Sequence, residues 1–194
     1  MKRLILILIL TFSFQTLIKA NDISEFEIEG MSIGDSALNF FSKEQLDQKS
    51  YLLGTDDKYL TSYFYDVKFE IYDGVEVSYL KKDSDYIIQG ISGGVTVKDI
   101  NECKRKKNDI AKSLSSFFFE AESLEDEGST PVDKTGKSKF FRTSFQINPK
   151  SKYFEIETSC IFYYGDAATK FTSNAGVTIK TDKMNDWLHN EAYR

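Results

Sequence analysis

The residues best suited to nucleophilic or metal chemistry are few and far apart in this chain. It has two cysteines, Cys103 and Cys160, and one histidine, His189, which lies near the C-terminus. A metal site built from nitrogen and sulfur needs several such ligands, and a serine or cysteine nucleophile needs a positioned base. A histidine so close to a chain end is a poor general base, because terminal segments are often mobile. We therefore expect no catalytic residue, no metal site and no cofactor.

The two cysteines allow two structural roles. In an oxidising compartment Cys103 and Cys160 can form one disulfide, and two is the smallest even number that supplies a bridge. Each can instead be a buried free thiol, which packs like a small apolar side chain. Their spacing matches no metal or redox motif that would decide between the two roles. Both alternatives stay open.

Carboxylates are the remaining groups that can carry hydrolysis. Two Asp or Glu side chains that flank a glycosidic bond are enough for that reaction. The chain has 30 acidic residues, so its sequence singles out no pair. It also contains no nucleophile elbow and no dinucleotide-binding fingerprint. A secreted hydrolase that uses two carboxylates is therefore the alternative to a protein without enzymatic activity.

Tyrosines are the candidates for a contact surface. An even number of positions separates Tyr59, Tyr63 and Tyr65 from one another. A strand therefore places all three on one face. Exposed aromatic side chains in such a row can form a binding face. The same spacing also fits one row of a half-buried strand. We take Tyr59, Tyr63 and Tyr65 as candidate binding residues.

The first twenty residues have the pattern of a secretory signal peptide. Lys2 and Arg3 give a positive start, residues 4–14 are apolar, and a cleavage site follows at Ala20. The apolar stretch is too short for a stable membrane span. We expect export to the periplasm or the medium after cleavage. Ile18 is larger than the small residue preferred at that position, so an uncleaved anchor is the alternative.

Charge and size restrict the partners of the chain. Its 194 residues carry a net charge of −5. Loss of residues 1–20 removes three positive charges and no negative ones, which changes the net charge to −8. Because phosphate binding needs a basic face, this balance argues against a nucleic-acid partner. The remaining chain is long enough for one apolar core.

The elements that would position these residues alternate between helix and antiparallel strand. Ser32 and Asp35 predict the start of a first helix, and Ser42 predicts a restart that runs to about residue 48. From Tyr59 the apolar pattern changes to a repeat of two, which is typical of strands. Asp73-Gly74 is the strongest hairpin signal of the chain.

The second part of the chain repeats this plan. Asp99 predicts the start of another helix, and residues 120–138 are predicted to form an acidic surface loop. Residues 139–194 then return to alternating strands and end in a helix that is predicted to start at Asp182. The pentapeptide Gly94–Lys98 matches Gly176–Lys180, and each precedes a predicted helix, which suggests an internal repeat.

These patterns predict an α+β fold with antiparallel sheet and helices packed on one face, built from two copies of a helix-plus-sheet unit. The predicted division is a signal peptide at 1–20, a first helix-plus-sheet half at 21–119, the acidic loop at 120–138, and a second sheet half with a terminal helix at 139–194. A lipocalin-like ligand carrier is a third reading, which would need a closed barrel.

Three segments resemble a family of exported alphaproteobacterial proteins with no assigned activity. They lie at residues 22–36, 86–103 and 186–193, and the first, with Phe-Glu-Ile-Glu-Gly-Met-Ser-Ile-Gly-Asp-Ser, is the most specific. The step Gly30-Met31-Ser32 is also similar to the start of the first helix in accessory proteins of outer-membrane assembly and in β-lactamase-inhibitor proteins. The family resemblance implies export but no activity, and the second likeness transfers no function.

Taken together, the residues favour an exported, non-catalytic binding or scaffolding module of the cell envelope. We expect a protein partner there, no nucleic acid, and no stable membrane span after cleavage. The hydrolase remains the alternative.

Overall fold

The computed structural model describes residues 23–194, so the predicted signal peptide at 1–20 lies outside the described residues. Eight strands of this part of the chain form one antiparallel sheet, accompanied by three α-helices. The strands are β1 (Ser50–Leu53), β2 (Tyr59–Phe64), β3 (Gly74–Leu80), β4 (Gly90–Thr96), β5 (Glu122–Ser129), β6 (Lys139–Gln146), β7 (Ile156–Phe162) and β8 (Asn174–Lys180). The helices are α1 (Lys43–Lys49), α2 (Ile100–Phe117) and α3 (Asp182–Asn190). The expected α+β class is confirmed.

The sheet consists of two four-stranded meanders joined in the middle. Its strand order is β1-β2-β3-β4-β8-β7-β6-β5, and the halves meet where β4 pairs with β8. α1 precedes the first meander and α2 precedes the second, so each half is a helix followed by four strands. β3 begins at residue 74 and β7 begins at residue 156, 82 residues later. α2 and α3 begin at residues 100 and 182, again 82 residues apart.

The matching pentapeptides occupy equivalent places in the two halves. Gly94 and Gly176 are equivalent in the repeat, and they are also directly paired in the β4–β8 ladder. A residue pairs with its own equivalent only at a two-fold axis. The Gly94–Gly176 pair therefore marks an approximate two-fold axis that passes through the sheet.

One face of the sheet carries α1 and α2 and contains the main core. Cross-strand partners point to the same face, so the register defines rows of core side chains. One such row is Val77–Ile91–Ile179–Ile156, with a parallel row beside it that includes Phe64 and Val75. Leu46 of α1 and Leu114 of α2 are buried in the same cluster. None of the helices within residues 23–194 combines the length and apolar character needed to cross a membrane.

A disulfide joins α2 to the second half of the sheet. Cys103 on α2 and Cys160 on β7 are both fully buried, and their Cα atoms lie 5.4 Å apart. The start of α2 is as predicted, because the Asp99 side chain accepts hydrogen bonds from the backbone N–H groups of Asn101 and Glu102. The bridge and the cap together hold the first two turns of α2 against the sheet.

The third helix lies on the opposite face. Its N-cap lies one residue earlier than the predicted cap at Asp182, since the Thr181 side chain accepts from the backbone N–H of Met184. Trp187 is fully buried; its ring centroid lies 4.6 Å from that of Tyr59, and its Nε1 donates to Asp56 at 2.8 Å. α3 covers one end of this face and leaves the rest without a helix.

The first predicted helix is wrong. The backbone N–H of Ser32 does donate to the Asp35 carboxylate at 2.8 Å, as at a helix start. Gly34, however, has a φ of +94°, which a right-handed helix does not contain. Its N–H bonds instead to the carbonyl oxygen of Ile88. The predicted restart is confirmed, because Ser42 and Gln45 form a capping box at the start of α1.

The predicted hairpin at Asp73-Gly74 is also wrong. β2 ends at Phe64 and β3 begins at Gly74, so residues 65–73 form a loop. The carboxylate of Glu29 holds this loop by accepting three backbone N–H groups, from residues 70, 71 and 72, at 2.7–2.9 Å. Burial alone would raise the pKa of Glu29, but the three donors lower it below its ordinary value.

The acidic segment 120–138 is not a loop throughout, which corrects the predicted boundary. Residues 122–129 form β5, an exposed strand at the edge of the sheet that pairs with β6 along its whole length. Two of its carboxylates have basic partners: Asp126 pairs with Arg142, and Glu125 lies 3.6 Å from Lys107. These pairs reduce the repulsion within the strand.

The two glycines at the two-fold axis should respond differently to a methyl group. A Cβ on Gly176 would lie 2.3 Å from the carbonyl oxygen of Gly93, whereas a Cβ on Gly94 would have its nearest neighbour, Asn174 Oδ1, at 4.0 Å. We expect Gly176→Ala to lower the free energy of unfolding by roughly 2 kcal/mol. Gly94→Ala should leave it unchanged or raise it by up to about 1 kcal/mol. Urea unfolding of both variants measures this, and equal effects would contradict the assigned register.

Removal of the disulfide should destabilise the protein without rearranging it. The bridge closes a loop with a sequence separation of 57 residues. We expect the double variant Cys103→Ala/Cys160→Ala to lose about 3–4 kcal/mol of unfolding free energy, chiefly because its unfolded chain is less restricted. Denaturant unfolding measures the loss, with dithiothreitol-treated native protein as the comparison. A variant as stable as the oxidised protein would contradict the structural role of the bridge.

Candidate binding trough on the open face of the sheet

The face opposite α1 and α2 contains a trough of about 720 Å³ that crosses β3, β4, β8 and β7. Its floor is lined by residues with no side chain or a short hydroxyl side chain, which leaves the space above them empty. These floor residues are Gly74, Ser92, Gly94, Thr96, Ser159, Gly176 and Thr178. The hydroxyl groups of Ser92 and Thr178 are hydrogen-bonded to each other across β4 and β8 at 3.0 Å. The trough is therefore a consequence of the small side chains on the four central strands.

Tyrosines form one wall of the trough. Tyr63 and Tyr65 line it, and their ring centroids lie 5.5 Å apart. The ring of Tyr63 lies directly on Gly74, where a Cβ would come within 2.9 Å of the ring. Tyr59 has a different environment: it is 2% exposed beneath Trp187. Two of the three predicted binding tyrosines thus lie together at the trough, and Tyr59 cannot contribute to a contact face.

Glu76 lines the trough from β3 and was not singled out from the sequence. It is paired with Tyr63 on β2 and with Ser92 on β4. The Tyr51 hydroxyl, from β1, donates to its carboxylate at 3.3 Å. Burial raises the pKa of Glu76, and the hydrogen bond from Tyr51 opposes this only in part. Among residues 23–194, no basic side chain forms an ion pair with Glu76.

Two further carboxylates line the trough, and both have partners. Asp73 accepts the backbone N–H of Thr96 at 2.7 Å. Glu157 lies 3.6 Å from the guanidinium of Arg142, which is shared with a carboxylate of β5. In the part of the chain that the structure describes, no Lys or Arg lines the trough. Its lining is therefore acidic, and Glu76 is the carboxylate that, within residues 23–194, has neither an ion-pair partner nor a backbone N–H donor.

The trough continues towards α3 as a smaller pocket of about 240 Å³. Lys180 lines this pocket together with Met184 and Leu188, and Glu76 borders both spaces. Burial lowers the pKa of Lys180, while the negative charge of Glu157 acts in the opposite direction. The positive charge of Arg142 adds to the lowering, and among residues 23–194 Lys180 forms no ion pair with Glu76.

The two cysteines and the histidine lie outside the trough. The Cys103–Cys160 disulfide is on the helix-bearing face, and His189 stacks on Tyr153 with ring centroids 4.3 Å apart. Within the described residues, no group of three or more His, Cys, Asp or Glu is placed to hold a metal ion. Comparison of the chain with family models, curated proteins and solved structures finds no match. The trough itself is therefore the basis for a functional interpretation.

Replacement of Glu76 by a neutral isostere should stabilise the protein at neutral pH. Because the folded state raises the pKa of Glu76, its contribution favours folding below the unfolded pKa and is lost as the pH rises through the folded pKa. We expect Glu76→Gln to be roughly 1 kcal/mol more stable than the wild type at pH 7. The difference should disappear near pH 4, where the wild-type carboxyl is protonated.

Urea unfolding at the two pH values measures this difference. Glu27→Gln is the matched control, because Glu27 is exposed and lies outside the trough. The control should change the unfolding free energy by less than about 0.5 kcal/mol. A Glu76→Gln variant that is less stable than the wild type at pH 7 would mean that the charge of Glu76 is compensated within the fold.

Proposed function

We propose that this protein is an exported, non-catalytic binding module of the cell envelope, and that the trough is its binding surface. The observation that carries the proposal is the combination of an open, small-residue floor with a tyrosine wall and an acidic lining. Its volume of about 720 Å³ is in the range of known ligand clefts, about 300–1,000 Å³. Aromatic side chains that expose part of their surface are common at protein–protein contacts.

The occupant that we propose is a partner protein that presents positive charge. Among the described residues, those that line the trough include three carboxylates and no Lys or Arg, and the chain as a whole is acidic. Complementary charge raises the rate of association and discriminates against wrong partners. The location is proposed on two grounds: the leader pattern of residues 1–20, and a disulfide of the type that persists in oxidising compartments.

A hydrolase is the second candidate, because a carboxyl group with a raised pKa is suited to act as a general acid. Its partner in the trough would be Glu157. The two residues lie in one cross-strand row, Glu76–Ser92–Thr178–Glu157. Three strand spacings of about 4.8 Å place their backbones roughly 14 Å apart. Glycosidases place the two carboxyl groups themselves about 5–9.5 Å apart. Glu157 would have to lean towards β3 to reach that distance, but it lies 3.6 Å from Arg142 of β6, on the opposite side, which favours the binding function.

A closed-barrel carrier is not supported by the topology. Strands β1 and β5 end the sheet at opposite edges and do not pair with each other. The trough is therefore open along one face, whereas the ligand cavity of a lipocalin-like protein is enclosed by its barrel.

Blocking the trough should abolish partner binding without unfolding the protein. Gly94 lies on the trough floor, and a Cβ there would have its nearest neighbour, Asn174 Oδ1, at 4.0 Å, with the open trough above it. We expect Gly94→Leu to reduce the affinity for the partner at least tenfold, because the leucine occupies the space of the ligand. The partner is captured from envelope extract, identified by mass spectrometry, purified, and titrated against both proteins.

Ser113→Leu is the control, since it adds the same side chain to an exposed position of α2 on the other side of the sheet. It should leave the affinity unchanged. Equal binding of wild type and Gly94→Leu would overturn the proposal, as would turnover of a cell-wall glycan that depends on Glu76.

A further inference from the structure

We infer that the partner is recognised through one lysine or arginine side chain, whose charged group binds next to Glu76 between the rings of Tyr51 and Tyr63. This inference rests on the proposed function, because it assumes that the partner binds in the trough. It adds the chemical group that is recognised and the three side chains that recognise it.

The carboxylate of Glu76 accepts fewer hydrogen bonds than it can. Other partly or fully buried carboxylates of the fold are well supplied with donors: Glu155 accepts the backbone N–H groups of Ile147 and Asn148, and Glu29 accepts three. Glu76 accepts one long hydrogen bond from a phenol. A carboxylate has about four acceptor positions, so most of those of Glu76 are free to take donors from a ligand. A cationic side chain supplies such donors together with the missing charge.

Two tyrosine rings lie beside the Glu76 carboxylate. Tyr63 is the direct cross-strand neighbour of Glu76, and Tyr51 reaches the same carboxylate from β1. Both rings are more than 40% exposed. Organic cations bind to the faces of such rings, and the attraction is stronger where water is partly excluded. A carboxylate flanked by two tyrosines therefore offers an ammonium or guanidinium group both an opposite charge and aromatic ring faces.

Within residues 23–194, the lysines nearest to this position are engaged with other carboxylates. Lys49 lies 5.6 Å from the ring centroid of Tyr65 at the rim, but its ammonium is held by Asp66 at 2.6 and 2.8 Å. Lys180 interacts with Glu157. A metal ion is a poorer fit than an organic cation, because Ca²⁺ and Mg²⁺ need six or more oxygen ligands and Glu76 stands alone.

The test compares two peptides that differ in charge and not in shape. Acetyl-Gly-Gly-Arg-Gly-Gly-amide is titrated into the full protein at pH 7.5 and followed by NMR, and the same peptide with citrulline replaces arginine by a neutral isostere. We expect the arginine peptide to bind at least fivefold more tightly, with the largest shifts in β2 and β3. The same comparison is made with lysine and acetyl-lysine. Binding of the charged peptides should weaken as the pH falls and Glu76 is protonated.

Two variants separate this role from a structural one. Glu76→Gln should remove the preference for the charged peptide, and Tyr63→Leu should reduce it at least twofold. The matched control Glu27→Gln should retain it in full. Equal affinity for the arginine and citrulline peptides, no binding of either, or a preference that survives in Glu76→Gln would overturn the inference.

Partner binding by Gly94→Leu tests the proposed function independently of the peptides. If the peptides fail this test but Gly94→Leu still loses the partner, the trough is the binding surface and only the recognised group is wrong. If Gly94→Leu binds the partner as well as the wild type does, the proposed function itself has failed.

Discussion

The pairing of β4 with β8 is the constraint on which both faces of this protein depend. It joins two similar halves about an approximate two-fold axis at Gly94 and Gly176. In an antiparallel pair such an axis is perpendicular to the sheet, so it maps each face onto itself. The helices that precede the two halves, α1 and α2, lie on one face, whereas α3, which follows the second half, does not obey the repeat and crosses to the opposite face. The other face is left open over its central strands, and the trough lies there.

The trough combines features that are costly for folding with features that are useful for binding. Glycine in the interior of a strand weakens it, and an unpaired half-buried carboxylate opposes folding at neutral pH. Both occur in the trough, at Gly74, Gly94 and Gly176 on the floor and at Glu76 on β3. Sites that violate the rules of local stability are typically functional sites. The remainder of the sheet is well packed, and the Cys103–Cys160 bridge ties its second half to α2.

The sequence predicts a helix or strand correctly where residues at its own ends or along its own length determine it. Asp99 and Ser42 start helices as their types predict, and the two-residue repeats correspond to strands. The repeat around Gly94 and Gly176 was also visible. The helix expected at Ser32 failed because its backbone groups are taken by Ile88, a partner distant in sequence. β5 was missed because acidic residues are rare in strands, and its formation depends on pairing with β6.

The trough was less predictable than the fold, because it depends on contacts between residues that are distant in sequence. The spacing of the tyrosines predicts one shared face, and Tyr63 and Tyr65 do line the trough, but Tyr59 follows the same pattern and is buried because α3 crosses to its face. Tyr51 and Glu76 meet only through the order of strands β1, β2 and β3. Nothing in the residues near position 76 distinguishes it from the other acidic residues. The trough as a whole exists because β4 lies beside β8, and that pairing is non-local.

The central claim is that the open face, and not the helix-bearing face, makes the contact. Hydroxyl-radical footprinting of the protein with and without its purified partner tests this directly. Tyr65 at the trough is 67% exposed, and Phe119, just beyond the end of α2, is 68% exposed, so the two rings start with nearly equal accessibility. The account predicts that the partner protects Tyr65 and leaves Phe119 reactive. Protection of Phe119 with Tyr65 unchanged would contradict it.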